Sequence, residues 1–156
     1  MLTKHEKYMK EALKEAKKAF ERDEVPIGAV IVFKEQIIAR AHNQIKILKD
    51  PTAHAEMIAI TQAASYLKNE RLKDCDLYVT IEPCSMCAGA MVLARIRNLY
   101  YATRDPKSGA AGTVINVLEN KSLNHKVKIK RDILKDEAGS LIQEFFKKKR
   151  EVKTIS

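Results

Sequence analysis

The chain predicts a three-layer α/β/α sandwich around a central mixed five-stranded sheet, and two observations carry that expectation. Helix and strand patterns follow one another in the order α-β-β-α-β-α-β-β-α, which requires a sheet covered by helices on both faces. The consecutive β-α-β-α-β stretch needs parallel strands in the middle of that sheet, joined by right-handed crossovers. With 156 residues, 46% of them hydrophobic, the chain can bury a core without disulfide staples and reads as one domain over residues 1–156.

Each element has its own signal. Thr3 and Glu6 stand at capping-box spacing, so the first helix can satisfy its own orphan amides. Met9, Ala12, Leu13, Ala16 and Phe20 then recur at helical spacing, and the helix should end near Asp23, ahead of Pro26. Residues 28–33 and 37–41, separated by Lys34-Glu35-Gln36, predict a β-hairpin. Asp50-Pro51-Thr52 signals a turn and a helix start, with the helix running from about residue 53 to residue 67. Residues 77–81 read as a strand, Pro83 opens a helix to about residue 94, and residues 99–102 read as a further strand. Ser108-Gly109-Ala110-Ala111-Gly112 predicts a flexible loop. Val127 and Ile129 mark a short strand with lysines on its other face, and Ala138, Leu141, Ile142 and Phe145 stripe a final helix that runs into a basic tail.

Charge and cysteine usage narrow the class. Of the net charge of +9, residues 121–156 supply +6 from 11 basic and 5 acidic side chains, concentrated at 126–131 and 147–150. Such asymmetry suits a polyanionic partner, because each cation near a phosphate releases condensed counterions; a lysine-rich helix end also suits the macrodipole. No apolar run approaches the roughly 20 residues of a membrane helix, and Met1-Leu2-Thr3-Lys4-His5-Glu6 lacks the apolar core of a signal peptide. The odd count of three cysteines, two of them at Cys84 and Cys87, favours a reducing compartment and metal chemistry over a disulfide framework. A cytoplasmic protein without a membrane partner is the expectation.

The chemistry concentrates in His54-Ala55-Glu56 and Pro83-Cys84-Ser85-Met86-Cys87. Cysteines three apart share one face of a helix, so both sulfurs can converge on one ion, and the positive end of a helix favours thiolate over thiol. One nitrogen and two sulfur ligands leave a tetrahedral position open on zinc, which marks a catalytic site. Glu56 need not bind the metal and can serve the open position as general acid and base. Alone, His-x-Glu fits an exposed helix start, and Cys-x-x-Cys fits a redox pair or half of a structural zinc site. A structural site needs a fourth ligand, and Cys75, the remaining cysteine, reads as a small buried side chain ahead of a strand. Together the two motifs favour catalysis.

The pattern His-x-Glu followed by Pro-Cys-x-x-Cys resembles the zinc-dependent nucleobase deaminases, for which it is a known signature. The segments 25–30, 50–56, 77–84 and 104–112, with Asn124-His125 and Phe145-Phe146 before a basic tail, are similar to the bacterial tRNA-specific adenosine deaminases over nearly the whole chain. Ile81 stands where that family usually has leucine, and Pro106 stiffens the 105–107 turn. The resemblance implies a cytidine deaminase-like fold and a homodimer that converts the wobble adenosine, position 34, of an arginine tRNA anticodon to inosine. It implies one zinc ion per subunit held by His54, Cys84 and Cys87, with Glu56 as the proton shuttle. Asn43 takes the place of the asparagine that hydrogen-bonds the flipped base, and Ile27 and Gly28 would line the pocket. Asp105, Lys107 and Ser108 would contact flanking nucleotides, and Phe145, Phe146 and Arg150 would meet the anticodon stem-loop from the last helix. Phe145 falls on the apolar stripe, whereas Phe146 lies about 100° round the helix and is freer to stack on a base.

Two other functions share parts of this pattern. A guanine or cytosine deaminase acting on free bases has the same metal motif, but a free base offers no phosphates for the basic C-terminal quarter to neutralise. A non-catalytic RNA-binding module with structural zinc would have no use for Glu56.

Overall fold

The computed structural model describes residues 1–155. Its elements are α1 (Lys4–Glu21), β1 (Gly28–Phe33), β2 (Gln36–His42), α2 (Ile45–Leu48), α3 (Ala55–Leu67), β3 (Cys75–Ile81), α4 (Ser85–Ala94), β4 (Asn98–Thr103), β5 (Lys128–Lys130) and α5 (Lys135–Ile155). The strands form one sheet in the order β2-β1-β3-β4-β5. β1 runs antiparallel to both β2 and β3, while β3, β4 and β5 are mutually parallel. This is the mixed five-stranded sheet of an α/β fold, with helices on both faces as the sequence predicts.

Alternation along the strands builds the two cores. Ala29, Ile31, Leu77, Val79, Leu99 and Tyr101 face one way and pack with Ala59 and Ala63 of α3 and with Cys87, Ala88 and Met91 of α4. Val30, Val32, Tyr78, Tyr100 and Ala102 face the other way, against Met9, Ala12 and Leu13 of α1 and Ala138 of α5. Period-two side-chain placement separates these sets, so a one-residue slip in register would turn both inside out.

α1 starts as its capping box requires: the Glu6 N–H donates to Thr3 Oγ1 at 3.1 Å and the Thr3 N–H donates to Glu6 Oε1 at 3.0 Å. The hairpin closes through Lys34 and Glu35, with φ of 50° and 62°. Two successive left-handed residues give the tight reversal whose twist matches the flanking strands.

Several boundaries differ from expectation for identifiable reasons. α2 is a single turn without a sequence signal, held by the buried Glu24 carboxylate, which accepts from the N–H groups of Lys46 (3.0 Å) and Ile47 (2.9 Å). α3 begins at Ala55, two residues later than the proline turn suggests, because His54 is an extended N-cap with φ −75° and ψ 152°. α4 begins at Ser85 because Cys84 is likewise an extended N-cap. The 108–112 loop, which its glycines and alanines mark as flexible, is instead hydrogen-bonded at several points to the body. No helix among the described residues is long and apolar enough to cross a membrane.

Candidate metal and substrate site

Two helix starts create the centre of the site. His54 caps α3, Cys84 caps α4, and Cys87 sits in the first turn of α4. Neither capping side chain bonds to its own helix. Both are turned instead toward each other, with His54 Nδ1 lying 3.7 Å from Cys84 Sγ and 3.5 Å from Cys87 Sγ. All three donor atoms fall within 4.8 Å of one another. Tetrahedral zinc, with bonds near 2.0 Å to nitrogen and 2.3 Å to sulfur, separates such donors by about 3.6 Å. The residues therefore fit the ion in both chemistry and spacing, and among the described residues no fourth His, Cys, Asp or Glu joins the cluster. Cys75 is buried apart from it, its thiol pushed up to about 11 by desolvation.

The two thiols of the cluster are driven in opposite directions. Hydrogen bonds from Cys87 and His54 hold the Cys84 thiol down to about 3. The hydrogen bond with Cys84, reinforced by burial, pushes the Cys87 thiol upward. The same contact with Cys84 raises the His54 imidazole. A metal ion binding here would displace these protons, because the ligand forms are thiolate and neutral imidazole.

Glu56, only 3% exposed, lies in the first turn of α3. Burial pushes its carboxyl up to about 7, while contact with the Cys87 thiol acts in the opposite direction. A carboxyl in this environment can both hold and release a proton near neutrality. Asn43, also buried, follows β2 directly: its Oδ1 accepts from the Ala55 N–H at 2.8 Å, and its own N–H donates to the Ile27 carbonyl at 3.1 Å. The first contact engages the carbonyl oxygen of the amide and leaves the NH2 group as its donor half.

A groove of about 460 Å³ collects Ile27, Asp105, Lys107, Ser108 and Phe146, together with Ile81. A neighbouring groove of about 490 Å³ is lined by Lys107, Phe146, Lys149 and Arg150. Within the 105–108 turn, Asp105 is occupied by its own loop: its carboxylate accepts from the N–H groups of Lys107 (2.9 Å) and Ser108 (3.2 Å) and from Ser108 Oγ (2.8 Å).

Two of the sequence-derived positions have packing roles. The space into which a Gly28 side chain would project is filled by α1, where a Cβ would approach the Ala12 carbonyl to 2.0 Å. The absence of a side chain thus admits α1. Phe145, 5% exposed, packs edge-on against Phe20 at 5.7 Å, which covers its ring, whereas Phe146 is 43% exposed. The buried acid Glu82 escapes sequence reasoning, although an acid ending the apolar run 77–81 is a visible anomaly.

The chain matches the MafB19-like deaminase family over residues 3–150. It is 50% identical over 145 residues to a tRNA-specific adenosine deaminase of Aquifex aeolicus, covering 93% of this chain and 95% of that protein. A structure from a study of A-to-I editing by tRNA:A34 deaminases at the wobble position superposes with a TM-score of 0.84 at 44% identity, covering 86% of this chain and 98% of that one. A guanine deaminase from Bacillus subtilis superposes less closely, with a TM-score of 0.63 at 35% identity over 76% of this chain and 82% of that one. By these matches and by the His54, Glu56, Cys84 and Cys87 constellation, the chain belongs to the tRNA-specific adenosine deaminases within the MafB19-like deaminase family.

Proposed function

We propose that this protein hydrolyses adenosine to inosine at position 34 of a tRNA anticodon, with an arginine tRNA as substrate and one zinc ion per subunit as resident cofactor. The observation that carries the reading is the convergence of His54, Cys84 and Cys87 beside a buried acid, Glu56, that is not part of the ligand cluster. Relatives named tRNA-specific adenosine deaminase, and a structure from a study of tRNA:A34 deaminases, support a tRNA as the substrate.

Zinc, when bound, supplies Lewis acidity and a water whose pKa falls to about 7. An anticodon-loop base is already partly unstacked, so drawing it into the site costs only a few kcal/mol. The NH2 group of Asn43 holds the purine, and Ile27 packs beside it. As water adds at C6, Glu56 accepts its proton and delivers it to N1. Glu56 then carries a proton to the departing amine, so ammonia leaves and inosine remains. Lys107, Phe146 and Arg150, with the loop folded on Asp105 and Ser108, hold the flanking nucleotides. Phe145 supports that surface from beneath.

A cytoplasmic homodimer fits this reading. Leu93 of α4 is 79% exposed and Tyr66 of α3 is 61% exposed, so each helix leaves a large side chain uncovered on its outward face. Such faces are characteristic of subunit contacts.

Ammonia release from tRNA, compared with release from free adenine, guanine and cytosine, tests the assignment. tRNA alone should support release, and Glu56→Ala should lower the rate by at least about 100-fold with zinc retained. Release from free bases but not from tRNA would remove the RNA assignment.

A further inference from the structure

Glu82 is a charged side chain with 2% exposure, placed one residue beyond β3 and two before Cys84. Its two oxygens gather one loop. Oε1 accepts from the Asp105 N–H at 3.2 Å and from Thr113 Oγ1, and Oε2 accepts from the N–H groups of Ala111 at 2.9 Å and Thr113 at 3.1 Å. Donors from both ends of the 105–113 segment therefore meet on a single carboxylate. Gly109 closes over it: a Cβ there would sit 2.5 Å from the Glu82 carboxyl carbon and 2.6 Å from the Asp105 carbonyl. The Ala110 N–H also donates to the Pro83 carbonyl at 2.8 Å, which ties the loop to the residue before Cys84. A buried carboxylate is costly unless its acceptor capacity is filled, and here, among the described residues, the filling comes from this segment and its hydroxyl.

We propose that Glu82 is a positioning residue for substrate recognition, folding the 105–113 segment so that the groove wall formed by Asp105, Lys107 and Ser108 stands at a set distance from the metal centre. The proposal rests on the reading of that groove as an RNA-binding surface. Glu82 is outside the His54, Cys84 and Cys87 cluster and its oxygens are held by the 105–113 segment, so its effect falls on binding more than on the chemical step.

The test pairs kinetics with hydrogen exchange. Glu82→Gln presents an amide donor where an acceptor is needed, and the segment loses at least one hydrogen bond. Amide exchange across 105–113 should then accelerate about tenfold, as the loss of a hydrogen bond implies, while α4 exchange and zinc content stay at wild-type levels. KM for an anticodon stem-loop should rise by a similar factor, with kcat changing much less. Thr113→Val, which removes one donor from an exposed position, should shift exchange and KM in the same direction by a smaller factor, and it decides the matter if Glu82→Gln fails to fold. Unchanged exchange across 105–113, or a fall in kcat at constant KM, overturns the proposal. A wild-type protein inactive on the stem-loop would overturn the tRNA reading and the recognition role with it, while the exchange experiment, which uses no substrate, would still decide whether Glu82 orders the segment.

Discussion

The side-chain carbonyl of Asn43 accepts a hydrogen bond from the backbone N–H of Ala55 at 2.8 Å, so the residue proposed to hold the purine also fastens the start of the helix bearing Glu56. Base binding and placement of the acid share one side chain, and substitution can separate them. Asn43→Asp keeps an acceptor for Ala55 but lacks the NH2 donor. It should melt close to wild type and lose at least about 100-fold in kcat/KM, because a site built to hydrogen-bond its substrate discriminates strongly when the partner is removed. Asn43→Ala should lose activity and also about 1 kcal/mol of stability, as a lost helix cap does. Thermal melts and steady-state kinetics on the two variants check both halves.

Adjacent phenylalanines on α5 should behave oppositely. Phe145 is buried against Phe20, so Phe145→Ala should cost about 3 kcal/mol of stability. Phe146 is 43% exposed in the groove, so Phe146→Ala should change stability by less than about 0.5 kcal/mol. Its binding to tRNA should weaken by about 1–3 kcal/mol, the range of a lost base stack. Denaturant titration and a binding isotherm for each variant separate the two roles.

The basic helix is not uniformly available to phosphates. Lys149 Nζ lies 2.6 Å from a carboxylate oxygen of Asp23, which also meets Lys46 at 3.2 Å. These pairings hold the Asp23 carboxyl below its usual range. Lys107→Ala, in the 105–108 turn outside that helix, should make the salt dependence of tRNA affinity shallower by about one unit of slope, as expected for one phosphate contact. Lys149→Ala should change the slope less, since Asp23 already offsets part of its charge. Filter binding over a salt series measures both, and an equal change for the two variants would contradict this division.

How much of this was legible in the sequence depended on the range of the interaction. The capping box at Thr3 and Glu6 and the helical stripe of α1 are local, and they appear as read. The convergence of His54, Cys84 and Cys87 was legible because the two cysteines are fixed relative to each other by one helical turn, and His54 caps the neighbouring helix. Boundaries near the ligands moved because His54 and Cys84 adopt extended caps that free their side chains, a choice made by the site and not by helix propensity. Glu82 was not legible: its partners lie 23 to 31 residues away, and an isolated acid at a strand end does not announce them. The packing role of Gly28 was hidden for a similar reason, since only the packed α1 backbone shows which neighbour requires a glycine.

Metal analysis combined with X-ray absorption at the zinc edge tests the central claim most directly. Purified protein should carry one zinc per chain, coordinated by two sulfurs, one imidazole nitrogen and one further light atom, and Cys87→Ala should lose it. A zinc-free active protein, or an ion closed off by four protein ligands, would contradict the account.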